Sequence, residues 1–372
     1  MHGMVAIVIP ALNPDDRLPG YIASLRAECD DPIVVVDDGS DGTFAPVFRR
    51  CQEAAPDVTL LTHGVNQGKG RALKTAFAYL LERHPGIVGC VTADADGQHL
   101  AKDVMECAAA LRASPDALVL GCRTFGLSHV PFRSRFGNTV IRAFFALATG
   151  RRFLDTQTGL RAIPADFMRE LLDCPGERFD YETRMLLALG DRPLAQIPIE
   201  TVYLEGNKSS HFKPLRDSTK ILGIVLGHIV SRFVRFTAAS LASFAVDIAL
   251  FKALHAIAFR DFNVGRLALS VAVARVVSAL FNYFVNLHFV FGGVRASRSL
   301  AKYATLAIGI LCASYLLTAF AVDAFPWASR HVATAKAAVD LILFLASFGV
   351  QRLCVFSSLS RSSTASSEKS KG

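Results

Sequence analysis

The run Ile87-Val88-Gly89-Cys90-Val91 passes directly into Thr92-Ala93-Asp94-Ala95-Asp96-Gly97-Gln98-His99. A short apolar stretch that ends in turn residues predicts a buried strand, and the loop after it is where chemistry should sit. Two carboxylates at i and i+2, with the amide oxygen of Gln98 two positions on, offer hard ligands to Mg²⁺ or Mn²⁺ and leave room for phosphate oxygens. Such a metal neutralises charge on a departing diphosphate. Asp-x-Asp alone is equally the composition of a solvated loop, so its weight depends on its neighbours.

Working outward, Val5 to Ile9, Ile33 to Val36, Val58 to Leu61 and Leu118 to Leu120 read as further strands. Leu18 to Cys29, Gly70 to Arg83 and Asp103 to Arg112 read as helices between them. This alternation up to about residue 215 predicts an α/β domain with a mostly parallel sheet. Ligands of such sheets lie at the carboxyl ends of the strands. Pro10-Ala11-Leu12-Asn13 closes the first strand and Val36-Asp37-Asp38-Gly39-Ser40-Asp41 the second, so three strand ends deliver polar groups to one edge. Acidic side chains there can accept hydrogen bonds from a base N–H or a ribose hydroxyl. No glycine stands between Pro10 and Pro14, which argues against a G-x-G-x-x-G dinucleotide site. Asn66-Gln67-Gly68-Lys69-Gly70-Arg71 opens a helix, where glycine permits close approach and Lys69 can face an anion; a plain helix-start turn has the same composition.

From residue 233 the pattern changes. Phe233 to Ile257, Leu267 to Phe291, Tyr303 to Phe325 and Val332 to Val355 are apolar stretches, each near the roughly 20 residues that a bilayer-spanning helix needs. The chain is 372 residues long, 52% hydrophobic, 19% charged and formally +8. Charge is balanced over residues 1–236, while residues 237–356 hold 10 Lys+Arg against 4 Asp+Glu. A basic surplus confined to the flanks of apolar runs points to a membrane surface and not to nucleic acid. Arg295, Arg298 and Lys302 in one connector and Arg361, Lys369 and Lys371 in the Ser-rich tail place both in the cytoplasm by the positive-inside rule, and four spans return the N-terminal domain to the same side. Eight scattered cysteines without a C-x-x-C pair fit a reduced compartment better than a zinc site or a disulfide framework. Val5 to Ile9 lacks a basic flank and a cleavage site, so it reads as a strand and not as a signal peptide.

The segment Lys208 to Arg216, followed by Ile221 to Val230 with Lys220, His228 and Arg232, reads as an interfacial helix leading into the first span, or as a plain linker. Phe132 to Phe145, where Phe and Arg interleave, allows a similar role and equally suits a helix packed on the sheet.

Val8-Ile9-Pro10-Ala11-Leu12-Asn13, Val35-Val36-Asp37-Asp38-Gly39-Ser40, Asp94 to His99 and Asp155-Thr156-Gln157-Thr158-Gly159-Leu160-Arg161 together resemble a family 2 glycosyltransferase of the GT-A fold. The likeness is to the polyprenyl-phosphate, dolichol-phosphate mannosyltransferase-like branch and covers about residues 4–215. Residues 233–356 resemble the GtrA-like four-helix membrane family through Arg235-Phe236, Asp247, Ala274-Arg275, Asn282-Tyr283, Asn286, Ser314-Tyr315, Lys336, Val339-Asp340 and Gln351-Arg352. The resemblance implies that Asp94, Asp96 and Gln98 coordinate a divalent metal, Mg²⁺ or Mn²⁺. It implies that Pro10, Leu12, Asn13, Asp37 and Asp38, with Lys69, surround the donor nucleotide sugar. Arg123 matches an arginine near the phosphates, while Arg133, Arg135 and Lys208 would meet the lipid phosphate. The chain departs from the family at Leu12 and Pro14, where Tyr and Glu are usual, and at Leu100 and Ala101, where prolines commonly follow Gln-His.

A polyprenyl phosphate oxygen is already ionised at neutral pH, so it can attack an anomeric carbon without a strong base. One in-line displacement inverts that centre. Asp155 and Glu182 then serve as sugar contacts or structural groups more readily than as a base, although both are carboxylates in family-like motifs. Within the spans Asp247, Arg275, Lys336, Asp340 and Arg352 need partners, either for bundle assembly or along a polar path for a sugar headgroup.

The expectation is a GT-A domain over residues 1–215, an interfacial helix over 216–232, a GtrA-like transmembrane domain over 233–356 and a disordered tail over 357–372. Its activity would be transfer of a hexose from a nucleotide sugar, UDP-linked by preference, to polyprenyl phosphate at the cytoplasmic face of an inner membrane, for cell-envelope glycans. The bilayer is a partner, nucleic acid is not, and the spans offer a surface for homo-oligomers. Two alternatives stay open: a lipid-linked sugar translocator with an accessory transferase domain, and a membrane-anchored transferase with a non-lipid acceptor.

Overall fold

A computed structural model describes residues 3–123, 132–200, 214–254, 256, 266–292 and 299–356. The chain divides into two compact units, one comprising mainly residues up to 225 and the other mainly residues 226–359.

In the first unit seven strands form one sheet: β1 (Val5–Ala11), β2 (Ile33–Asp37), β3 (Thr59–Thr62), β4 (Gly89–Thr92), β5 (Leu118–Arg123), β6 (Arg161–Pro164) and β7 (Leu194–Ile199). Their order is β3-β2-β1-β4-β6-β5-β7. Only β6 runs antiparallel to its neighbours, so the sheet is mostly parallel as the sequence predicts. Val5 to Ile9 and Ile33 to Val36 are buried throughout, the signature of strands covered on both faces. The five strands read from sequence all form, with ends shifted by up to three residues; β6 and β7 are additions. Their antiparallel or edge positions explain the omission, since Arg161-Ala162-Ile163-Pro164 begins with a cation, ends in proline and has no periodicity.

Helices α1 (Arg17–Glu28), α2 (Ala45–Ala54), α3 (Lys69–Arg83), α4 (Ala101–Ala113), α5 (Phe132–Thr149), α6 (Ala165–Leu172) and α7 (Asp180–Ala188) belong to this unit or border it. Leu18, Ile22 and Leu25 recur at helical spacing on α1 and are fully buried, as are Val104, Cys107 and Leu111 on α4. Each such side chain contributes about 1.5–3 kcal/mol of transfer free energy, which fixes the helices against the sheet.

The register sets the position of the loops. Ala11 pairs with Asp37 and Val8 with Thr92, so β1, β2 and β4 end along one edge. Thr92 also pairs with Arg161. Because β6 runs the other way, it starts where β4 stops, and residues 155–160 arrive beside the Asp94 loop.

The second unit contains most of α8 (Pro214–Ala253), then α9 (Arg266–Val285) with a π turn at Asn286–Val290, α10 (Ser299–Ala324), α11 (Pro326–Arg330), and α12 (Val332–Val350) with a π turn at Gln351–Val355. Four helical stretches, Thr219–Ala253, Leu269–Val290, Ser299–Ala324 and Thr334–Val355, are long and apolar enough to cross a membrane. The predicted interfacial helix and first span are one continuous helix. Phe236, Phe291, Phe348 and Phe356 form the aromatic core, with the Phe291 and Phe356 rings stacked at 5.0 Å and the Phe236 and Phe348 rings 5.4 Å apart. Arg275 meets Asp247 across helices at 3.4 Å, and the Ser278 hydroxyl donates to Asp247 at 3.0 Å. Lys336 pairs with Asp340 on its own helix at 2.7 Å, while Ser314 of α10 donates to the same carboxylate at 2.5 Å.

Candidate active site

The edge formed by the ends of β1, β2 and β4 borders a cleft of about 520 Å³. Pro10, Leu12 and Asn13 reach it from β1, Asp38 from β2, Lys69 from the start of α3, Asp94 and Asp96 from β4, Arg123 from β5 and Glu182 from α7. All nine are residues the sequence places at the site, and they line one cavity.

Two loops are tied together first. Asn13 has φ +48°, a left-handed conformation that Asn tolerates better than most residues. Its backbone N–H donates to Ser40 Oγ at 2.9 Å, and its Oδ1 accepts from Asp41 N–H at 2.9 Å. Asp38 is buried and its carboxylate accepts from the N–H groups of Gln67 (3.0 Å) and Gly68 (2.7 Å) and meets His63 Nδ1 at 2.8 Å. It thereby anchors the loop that delivers Lys69. Gly68 has φ +105°, and a Cβ there would lie 2.4 Å from Glu177 O, so this turn admits only glycine. Asp37, expected around the nucleotide, does not line the cleft; its carboxylate accepts the Ser40 N–H at 2.8 Å.

Lys69 Nζ donates to Asp94 Oδ1 at 2.7 Å and meets Glu182 Oε1 at 3.0 Å. His99 Nε2 lies 3.3 Å from Asp94 Oδ2. Burial would raise the Asp94 pKa, but the Lys69 charge and the His99 contact outweigh it and hold the carboxyl well below the usual carboxylate range. Burial likewise works against the Lys69 charge, yet Asp94 and Glu182 raise its pKa above the ordinary lysine value. Burial lifts Asp96 above its ordinary value against a hydrogen bond from the Gln98 N–H, and the Asp94 charge adds to the rise. Gln98, expected as a metal ligand, donates that backbone N–H to Asp96 Oδ1 at 3.0 Å and does not line the cleft.

Asp155 stands behind the cleft wall. It is buried and receives Arg123 through two contacts, Nε to Oδ2 at 2.7 Å and Nη2 to Oδ1 at 3.2 Å. Burial opposes its charge, but the Arg123 hydrogen bonds and charge bring its pKa below the ordinary value. Asp155 therefore aims Arg123, which itself lines the cavity. Arg133 and Arg135 fall on α5 where side chains lie outside the described residues, and Lys208 lies outside them altogether.

Arg161 stands in a family-like motif, but the sequence alone assigns it no role. Its side chain is almost fully buried, donates Nη1–H to Glu182 O at 2.7 Å and Nε–H to Thr158 O at 2.9 Å, and lines the cleft floor. Burial lowers its pKa from the ordinary arginine value. The signal that could have found it is a charged residue starting an apolar β run. His99 stands in the Asp94 to His99 motif without an assigned role, and His63 carries no signal because a lone histidine in sequence has no ligand spacing.

The donor set fits a divalent cation. Asp94 and Asp96 line the same cavity from one short loop and offer carboxylate oxygens of the kind that Mg²⁺ and Mn²⁺ prefer. A Cβ on Gly159 would lie 2.3 Å from Asp94 Oδ2, so the glycine leaves that oxygen its space. Among the described residues no cluster of three His, Cys, Asp or Glu side chains could hold a metal alone. An ion held by Asp94 and Asp96 would need waters or substrate phosphate oxygens to complete its shell.

Comparison with known proteins gives the family of each part of the chain. Residues 6–169 match the family described as Glycosyl transferase family 2, and residues 235–356 match the GtrA/DPMS transmembrane domain. A UDP-N-acetylglucosamine–dolichyl-phosphate N-acetylglucosaminyltransferase of Methanococcus voltae is 24% identical over 220 residues, covering 54% of this chain and 87% of that protein. The dolichyl-phosphate beta-glucosyltransferase ALG5A of Trichomonas vaginalis is 25% identical over 247 residues, 61% of this chain and 74% of its own. Among solved structures, glucosyl-3-phosphoglycerate synthase from Mycobacterium tuberculosis is 18% identical with a TM-score of 0.42, covering 62% of this chain and 79% of that one. The chain is a glycosyltransferase: a family 2 catalytic domain joined to a multi-pass GtrA/DPMS transmembrane domain.

Proposed function

We propose that the protein transfers a hexose from a UDP-linked donor to a polyprenyl phosphate at the cytoplasmic face of an inner membrane, with inversion at the anomeric carbon, to supply cell-envelope glycan synthesis. The observation that carries this reading is the shared cleft of Asp94, Asp96, Lys69 and Arg123 at one sheet edge, on a chain with four apolar spans. The names of two relatives, both acting on dolichyl phosphate and one with a UDP-linked donor, support the acceptor and donor classes.

Asp94 and Asp96 would hold Mg²⁺ or Mn²⁺, which when bound neutralises charge developing on the leaving diphosphate. Arg123, fixed by Asp155, supplies a planar fork of donors for phosphate oxygens. Lys69, held between Asp94 and Glu182 in the same cleft, would add a positive charge facing those phosphates. Pro10, Leu12 and Asn13 form the wall against the nucleoside. The acceptor phosphate is already anionic, so Glu182 serves to position Lys69 and the sugar and is not needed as a base. Expelling water from such a cleft strengthens each of these charge contacts.

The test is a panel of nucleotide sugars incubated with the full chain, Mg²⁺ or Mn²⁺, and a short polyprenyl phosphate. Label should enter an organic extract only when the lipid phosphate is added, and Asp94→Ala should abolish it. Label appearing instead on a water-soluble glycan or on protein would assign a non-lipid acceptor.

A further inference from the structure

Helix α3 begins without a side-chain cap: Gly68 stands at its N-cap and has no side chain with which to accept a first-turn N–H. The loop ahead of α7 supplies the acceptor instead. Glu177 O receives the Arg71 N–H at 3.1 Å. On the other side of Lys69 the Asp38 carboxylate holds the Gln67 and Gly68 N–H groups, so the turn that carries Lys69 is pinned at both ends.

The Glu177 side chain closes the second pin. Arg71 and Lys74 stand three residues apart, on one face of α3. Arg71 Nη2 donates to Glu177 Oε1 at 2.9 Å and its Nε meets Oε2 at 2.7 Å, while Lys74 Nζ donates to Oε1 at 3.0 Å. Lys74 is buried, and its ammonium lies 5.2 Å from the centre of the Tyr181 ring on α7. Gly70 lets the backbones meet: a Cβ there would lie 2.6 Å from Tyr181 Cβ and 2.9 Å from Glu177 C.

Glu177, Arg71 and Lys74 do not line the cleft, whereas Lys69, Arg178, Phe179 and Glu182, on either side of this lock, do. Glu177 and Arg71 are partly exposed, and ion pairs of that kind add little to stability. What the lock fixes is a relative position. Lys69 stands on α3 and Glu182 on α7, and Arg161 of β6 already holds the Glu182 carbonyl. We propose that Glu177 is a positioning residue for Lys69: through Arg71 and Lys74 it seats the loop ahead of α7 on the first turn of α3, and so sets where the Lys69 ammonium stands between Asp94 and Glu182. The proposal rests on the transfer reaction above for its kinetic readout alone.

Glu177→Gln keeps the side-chain shape and removes the charge. In hydrogen exchange on the full chain in nanodiscs, residues 68–72 should exchange about tenfold faster than in wild type, with β1 and β4 unchanged. Transfer from UDP-glucose or UDP-N-acetylglucosamine to farnesyl phosphate with Mn²⁺ should lose about tenfold in kcat. Both Michaelis constants should stay within about twofold, because a lysine that answers charge developing in the transition state acts on kcat. Unchanged exchange over residues 68–72 in a folded variant would overturn the lock, and faster exchange with unchanged kcat would overturn its role in transfer. A rise in a Michaelis constant alone would make Glu177 part of substrate binding and equally contradict the proposal. If Glu177→Gln does not fold, Arg71→Gln, which keeps the Lys74 pair, carries the same readouts. Wild type that transfers to no lipid phosphate would remove the reaction assignment, while the exchange comparison would still decide the lock.

Discussion

Lys69 Nζ and Asp94 Oδ1 lie 2.7 Å apart, and the same ammonium reaches Glu182 at 3.0 Å. One lysine thus compensates two carboxylates in the cleft, one of them in the Asp-x-Asp loop. Asp38 fixes where this lysine starts, by holding the Gln67 and Gly68 N–H groups.

Lys69→Met leaves Asp94 and Glu182 without their shared cation. The Asp94 side chain is 35% exposed and keeps His99 as a partner, so the loss costs less than the about 3–5 kcal/mol of a fully buried pair. The variant should melt below wild type, and Mn²⁺ alone should restore more of its thermal stability than it adds to wild type. Equal stabilisation of both proteins by Mn²⁺, measured by thermal shift, would show that Lys69 and the metal do not compete for Asp94.

Gly159→Ala tests the space around Asp94. The added Cβ would lie 2.3 Å from Asp94 Oδ2, and that carboxylate cannot retreat without leaving Lys69 and His99. Overpacking of this kind costs about 1–3 kcal/mol. Transfer should fall about a hundredfold, equivalent to about 2.7 kcal/mol of barrier, with the fold retained by circular dichroism. Full activity would mean that Asp94's position is unimportant.

Asp155→Asn removes the charge that aims Arg123. Loss of hydrogen bonds to a charged group costs about 1.5–3 kcal/mol, and the Michaelis constant for the donor should rise because Arg123 loses its fixed direction. The sign of the pH dependence follows from the lowered Asp155 pKa. Stability from its ionised form is complete above the ordinary value of 3.8 and is lost as pH falls through the lower folded value. The gap between wild type and Asp155→Asn should therefore be constant from about pH 5 upward and close on acidification; a gap that widens in acid would contradict the pairing.

Much of this is legible in the sequence because parallel strands covered on both faces read as apolar runs, and each run ends in residues with an evident chemical use. Asp94, Asp96 and Asn13 stand at such ends, whereas Lys69 reads from the glycine turn that opens a helix. What escapes depends on topology. Nothing local predicts that β6 turns back beside β4, so Arg161 and Gly159 acquire their place only once Thr92 is seen paired with Arg161. Asp37 and Asp38 are indistinguishable as letters, yet one caps a turn and the other anchors a loop. Asp155 reads from its motif as a candidate for sugar contact; its partner Arg123 lies 32 positions away.

The most direct measurement is UDP binding to the purified full chain by calorimetry, with Mn²⁺ and with chelator, in wild type and in Asp96→Ala. If Asp94 and Asp96 hold the donor diphosphate through a divalent cation, Mn²⁺ should tighten UDP binding at least about tenfold, or about 1.4 kcal/mol, in wild type and leave Asp96→Ala unaffected. UDP binding of equal strength in all four conditions would contradict the account.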